Sequence, residues 1–124
     1  MNRPSQRLGF GRKMRIKLGR DFLRVREKGG RLALGCLVAN WLRLPEGSAT
    51  RLGVVCGAKV GGSVLRSRIK RLMRESFRLH QLELTGPVDL VLVARPSIAG
   101  KSFEVVERDF MAALRKAGLI GTAK

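Results

Sequence analysis

Six cations fall within the thirteen residues Arg66-Ser67-Arg68-Ile69-Lys70-Arg71-Leu72-Met73-Arg74-Glu75-Ser76-Phe77-Arg78 without breaking a helical apolar stripe, and this restricts the fold that can form around them. At about 100° per residue, Leu65, Ile69, Leu72, Met73 and Ser76 share roughly a third of a helix circumference, while Arg66, Lys70, Arg71, Arg74 and Arg78 fill another third. One face must be buried against other elements. The opposite face cannot enter a core and holds a charge density suited to a polyanion. Basic helix faces that are merely solvated usually carry acids at i+4 to relieve the repulsion. This one offers only Glu75, which the helical wheel turns away from the cations.

The charge of the whole chain is concentrated in the same way. Of a net +17 over 124 residues, residues 1–31 hold eleven Lys/Arg against two acids and residues 59–78 hold seven against one, so two segments supply +15. Such clustering is the electrostatic footprint of a nucleic-acid binder. The length suits one domain with a core that needs no disulfide. Cys36 and Cys56 are isolated in apolar runs without metal-ligand spacing, and read as buried thiols of a reducing cytosol. No apolar run approaches the roughly 20 residues of a membrane span, and no secretory signal opens the chain. A cytoplasmic protein with no membrane partner is expected.

Side chains able to run a reaction are scarce. His80 is the only histidine, placed where a positive field should disfavour its protonation. Glu104, Glu107 and Asp109 cluster where they would complement a helix dipole, with no base or metal ligand beside them. The glycines of Lys59 to Gly62 lack phosphate-loop spacing. No catalytic residue, metal site or protein-bound cofactor is expected. Aromatic residues are few (five Phe, one Trp, no Tyr), so phosphate contacts should dominate over base stacking, with Phe22 and Trp41 as stacking or core residues.

Along the chain, residues 1–18 read as a basic, partly flexible arm, residues 19–120 as a single α/β domain and residues 121–124 as a tail. A short helix is expected over Asp21 to Lys28, ended by Gly29-Gly30 and docked through Phe22. Arg31 to Leu44 reads as an extended strand that can bend or break at Gly35. If continuous, it places Leu32, Leu34, Cys36, Val38, Asn40 and Leu42 on one face. Pro45-Glu46-Gly47-Ser48 signals a turn, after which Arg51 to Gly57 returns as an antiparallel partner. Ser63 is a candidate cap for the basic helix, expected to reach Glu83. Val88 to Ala94, between Gly86-Pro87 and Arg95-Pro96, has the β-branched density of a central strand. Ser102 can cap a last helix that stops at Gly118. The order implies an α/β (α+β) two-layer sandwich, a four-stranded sheet packed with three helices.

The basic run, preceded by Lys59-Val60-Gly61, resembles the protein subunit of bacterial ribonuclease P. Arg66, Arg68, Lys70, Arg71, Arg74, Glu75, Phe77 and Arg78 stand where that family's motif has the same residue types. The resemblance extends through Asp21-Phe22, Arg51-Leu52-Gly53, Leu92 to Arg95 and the last helix, covering about residues 12 to 120. It implies a ribosomal protein S5 domain 2-like fold with a left-handed βαβ crossover. It also implies assistance to a catalytic RNA that removes the 5′ leader of precursor tRNA with its own Mg²⁺, one protein being expected per RNA. Lys59, Arg66, Ser67, Arg68, Lys70, Arg71, Arg74 and Arg78 would then bind RNA. Phe22, Arg26, Cys36, Val38 and Asn40 would line a leader-binding cleft.

Three positions depart from the family pattern. Ser67 replaces an asparagine and offers one hydroxyl in place of an amide, a change of about 1 kcal/mol if one hydrogen bond is lost. Arg26 and Asn40 stand where aromatic residues are frequent, exchanging stacking for polar contact. The competing reading is a general RNA-binding or ribosome-associated protein with no part in cleavage. A cationic membrane-active protein fits the buried-strand runs poorly.

Overall fold

The computed structural model describes residues 14–121. In chain order these form α1 (Gly19–Lys28), β1 (Gly30–Leu34), β2 (Leu37–Arg43), β3 (Arg51–Val55), α2 (Ser63–His80), β4 (Val88–Ala94) and α3 (Phe103–Ala117), with single 3₁₀ turns at Gln81–Glu83 and Pro96–Ile98. The strands make one mixed sheet in the order β1-β2-β4-β3. Strand β4 is central, antiparallel to β2 and parallel to β3, as its apolar density predicts. Residues 1–13 of the expected arm and 122–124 of the tail lie outside the described residues. Within the arm, Arg15 bridges Leu52 and the Ile16 N–H donates to the Leu52 carbonyl at 2.9 Å, so this stretch lines the free edge of β3.

The hairpin lies elsewhere than the sequence suggests. The Arg31 to Leu44 run is two strands, β1 and β2, folded back at Gly35-Cys36 with Leu34 opposite Leu37. Gly35 has φ +59°, and a side chain there would collide with the Asp109 carboxylate. A two-residue connection inverts the alternation: Leu32 pairs with Ala39 and shares its face, not that of Val38 and Asn40. The Pro45 to Ser48 turn does not close a β2–β3 hairpin either. It carries the chain past β4, which inserts between the two strands.

Alternation along β4 divides the interior. Leu90 and Leu92 face the main core, where α2 supplies Ile69, Met73 and Phe77 and α3 supplies Val106, Phe110 and Leu114. Each such side chain, when fully buried, contributes about 1.5–3 kcal/mol. Val91 faces the other way, into a smaller cluster with Ile16 and Val25, against which Phe22, Leu42 and Val93 pack. Helix α1 therefore crosses the sheet face opposite α2 and α3. Ser63 is the first residue of α2, and the N-cap is Gly62 without a side-chain bond, so the expected cap is absent. Ser102 does cap α3, accepting from the Val105 N–H at 3.3 Å, and Gly118 closes it with φ 78°.

Candidate nucleic-acid interface

The buried stripe of α2 fixes its cationic face outward. Ile69, Met73, Ser76 and Phe77 are buried, leaving Arg71 exposed and Arg66, Arg68, Lys70, Arg74 and Arg78 half-buried around them. The first turn of α2 has no acid, so its positive dipole end meets Arg66 without compensation. Arg66 donates to the Gly61 carbonyl at 3.1 Å and Arg68 to that of Lys101 at 3.4 Å, so each guanidinium is tied to a neighbouring loop carbonyl near the helix start. Ser67 is exposed between them, and Lys59 is exposed in the preceding turn.

Farther along, Arg71, Arg74 and Arg78 line a groove of about 500 Å³ with Arg15 from the β3 edge. Burial and the adjacent Arg15 lower the pKa of Arg74 below the ordinary guanidinium value, so its charge is held under electrostatic stress that an anion would relieve. Glu75 does not point away as the wheel suggests. It accepts from Arg78 at 2.6 and 2.8 Å across one turn, and this bond lowers the Glu75 pKa and raises that of Arg78.

On the opposite sheet face, a cleft of about 390 Å³ opens beside α1. Phe22, Leu23 and Arg26 form its helical wall, Asn40, Val91 and Val93 its floor, and Val55 its far rim. The Phe22 ring lies on Gly53, where a Cβ would sit 2.6 Å from Cε1, so the glycine lets the ring down onto the sheet. Val38 is buried on the same sheet face as Asn40 but is not among the cleft-lining residues. Cys36 does not reach the cleft. It occupies the hairpin turn, where strand alternation no longer holds, and belongs to the main core, its N–H donating to Asp109 at 3.0 Å. Burial and then the Asp109 carboxylate push its thiol up to about 11, so it is inert near neutrality. Burial would raise the Asp109 pKa, but the Cys36 bonds and Arg108 outweigh it and lower it. Trp41 packs against the main core, away from the cleft.

The sequence gives little warning of what sets the height of α1 over the sheet. Asp89, in β4, is fully buried and accepts both arms of Arg51 at 2.8 and 3.0 Å. Arg51 also reaches Asp21 of α1 at 3.3 Å, and Arg24 bonds Asp21 at 3.2 Å and approaches Asp89 at 3.7 Å. The Asp89 hydrogen bonds raise the Arg51 pKa. The signal available was an aspartate inside an otherwise apolar strand, which must find a cation to be buried.

His80 also departs from expectation. Its Nδ1 lies 2.6 Å from Glu83 and its Nε2 2.7 Å from Glu107 of α3, so both ring nitrogens face carboxylates. Burial disfavours the charged ring, but these bonds outweigh it and raise the pKa above the ordinary 6.5. The stabilisation is complete below pH 6.5 and is lost as pH rises through the raised folded value. Thermal unfolding across that window should show a decline for the unaltered protein that His80→Gln lacks; equal slopes would refute the assignment. Glu107 is thus committed to a structural contact. Among the described residues no group of three or more His, Cys, Asp or Glu is placed to hold a metal ion, and no helix is long and apolar enough to cross a membrane.

Fold and surface together define a small, strongly basic α+β domain in which a cationic helix adjoins an apolar cleft. The family model described as Ribonuclease P matches residues 10–118. The ribonuclease P protein component of Syntrophomonas wolfei is 38% identical over 108 residues, covering 87% of this chain and 90% of its own length. That of Gluconacetobacter diazotrophicus is 36% identical over 109 residues, covering 86% and 93%. Among solved structures, the Staphylococcus aureus RNase P protein superposes with a TM-score of 0.80 at 29% identity, over 87% of this chain and 98% of that one. The Thermotoga maritima RNase P protein gives 0.73 at 27%, over 82% and 96%. The chain belongs to the ribonuclease P protein family.

Proposed function

We propose that this chain is the protein component of a ribonuclease P, assisting removal of the 5′ leader from precursor tRNA, with the α2 face holding the catalytic RNA and the α1 cleft receiving the leader. The observation that carries this reading is the continuity of the two surfaces. A third groove, of about 230 Å³, shares Phe22 with the cleft and Arg15 and Arg74 with the cationic groove. A single strand needs this combination, with cations for its phosphates and an apolar, ring-bearing recess for an unstacked base.

In this reading Arg66, Arg68, Lys70, Arg71 and Arg74 neutralise phosphates where two RNAs converge, and Lys59, Ser67 and Arg78 flank them. The hydrolysis belongs to the RNA and the Mg²⁺ it binds. The contribution of this chain is charge and placement, one copy acting per RNA. Purified protein added to a bacterial ribonuclease P RNA and precursor tRNA at low Mg²⁺ should raise the rate of 5′ cleavage. Binding to RNA without any gain in cleavage would overturn the proposal in favour of a general RNA-binding role.

A further inference from the structure

The cationic face of α2 holds one side chain that charge does not explain. Val64, in the first turn of the helix, is the most exposed large apolar residue among those described, at 84%. It belongs to neither apolar cluster. At 3.6 residues per turn the buried Met73 lies about 180° from it, while Arg71 lies about 20° away and Arg68 and Arg78 about 40° to either side. Val64 therefore stands on the midline of the cationic face, at the end where Lys59 is exposed in the preceding turn.

Nothing in the folded domain calls for valine at this position. An exposed helical site favours alanine or a long straight side chain, and a β-branched one loses rotamer freedom there. A first turn favours an acid, and that of α2 has none. A lone apolar side chain on a surface is ordinary. The setting of this one is not. Arg66 and Arg68 are each tied to a loop carbonyl near the helix start, and Arg71 is exposed about two turns on. A polyanion neutralised by these groups must close over Val64. Valine offers nothing to a phosphate oxygen. The neighbour of every phosphate along an RNA strand is a ribose, whose carbon–hydrogen face is apolar, and protein contacts to a nucleic-acid backbone go to sugar as well as to phosphate.

We infer that Val64 is a contact residue for the catalytic RNA, packed on the face of one backbone ribose between phosphates held by the cations around it. The inference rests on the reading of α2 as the surface that holds that RNA, and adds a component of affinity that does not depend on charge. Phosphate neutralisation weakens with salt through counterion release, whereas burial of an apolar side chain does not. The two contributions therefore separate in a salt titration. The cations set the slope of log affinity against log salt, and Val64 sets part of the value extrapolated to about 1 M, where the counterion contribution vanishes.

The test measures binding to a bacterial ribonuclease P RNA at several salt concentrations, with inorganic polyphosphate, a polyanion that has no sugar, as a second ligand. Val64→Ala removes two methyl groups and should weaken RNA binding about tenfold at every salt concentration, with an unchanged slope. Its affinity for polyphosphate should match that of the unaltered protein within about twofold, and its melting temperature should be equal or higher, since alanine is the better helix former. Val64→Leu, which keeps an apolar side chain, should bind the RNA within about threefold of the unaltered protein. RNA affinity retained in Val64→Ala, a changed slope, a parallel loss toward polyphosphate, or a Val64→Leu variant as weak as Val64→Ala would overturn the inference. If the unaltered protein does not bind the RNA, the reading of α2 fails and takes the inference with it, a result distinct from tight binding that Val64→Ala leaves intact.

Discussion

Simultaneous replacement of Lys70, Arg71 and Arg74 by alanine is expected to weaken binding to ribonuclease P RNA about a thousandfold while leaving the fold intact. Among the described residues none of the three side chains has a hydrogen-bond or ion-pair partner within the protein, and Arg71 and Arg74 line the cationic groove. Each charge-assisted contact to phosphate is worth about 1.5 kcal/mol at the low end, and three such contacts sum to about three decades in affinity. Salt provides an independent readout. With about six phosphates neutralised, log affinity should fall with log salt at a slope of about −4 to −5, which the triple variant should flatten by about 2 to 3. Titrations at several salt concentrations, with thermal unfolding as a control, test both. A loss below tenfold with an unchanged slope would show that this face does not meet the RNA.

The same face shows how far sequence carries. The apolar stripe of α2 and its opposing cations follow from a 3.6-residue period, and the position of β4 follows from its β-branched density; both are local properties of the chain. Pairing partners are not local. Nothing between Pro45 and Ser48 announces that β4, more than thirty residues later, inserts between β2 and β3. Gly35 could be marked as a break, but whether it bends one strand or reverses two depends on the room left by Asp109 of α3. Cys36 falls in the reversal, outside the alternation of either strand, and Leu32 and Leu34 before it turn to the face opposite Val38 and Asn40.

The cleft was legible through Phe22, Arg26 and Asn40, all of which the structure brings together. Its supports were not. Glu75 and Arg78 are three residues apart, and a wheel that sorts residues by broad arcs hides the contact. His80 and Glu107 meet only because α2 packs on α3. Most of all, the Arg51–Asp89–Asp21–Arg24 network joins three elements; Asp89, an acid inside an apolar strand, signals that it needs a cation, but Arg51, Asp21 and Arg24 read singly look like ordinary surface charges.

Removing Asp89 should accordingly have an effect out of proportion to one residue. Asp89→Ala leaves Arg51, itself only partly exposed, with Asp21 alone at 3.3 Å, and is expected to cost about 3 kcal/mol, the lower range for breaking a buried pair. For a domain near 100 residues this lowers the melting temperature by about 12–24 °C. Arg24→Ala, at a position whose side chain is 46% exposed, should cost less than about 1 kcal/mol, so the two variants separate a buried anchor from a surface contact. The network also fixes α1 over the sheet and with it the cleft. In Asp89→Asn, which keeps part of the bonding, leader-dependent affinity should fall while binding to ribonuclease P RNA through α2 holds. The deciding comparison is the paired replacement Arg51→Met with Asp89→Leu. Apolar substitution of a buried ion pair is often neutral or stabilising, so thermal stability should recover. Leader-dependent affinity should not, because the apolar pair leaves Asp21 of α1 without the Arg51 guanidinium that ties the helix to the sheet. Recovery of both would mean that the charges stabilise the domain without shaping its cleft.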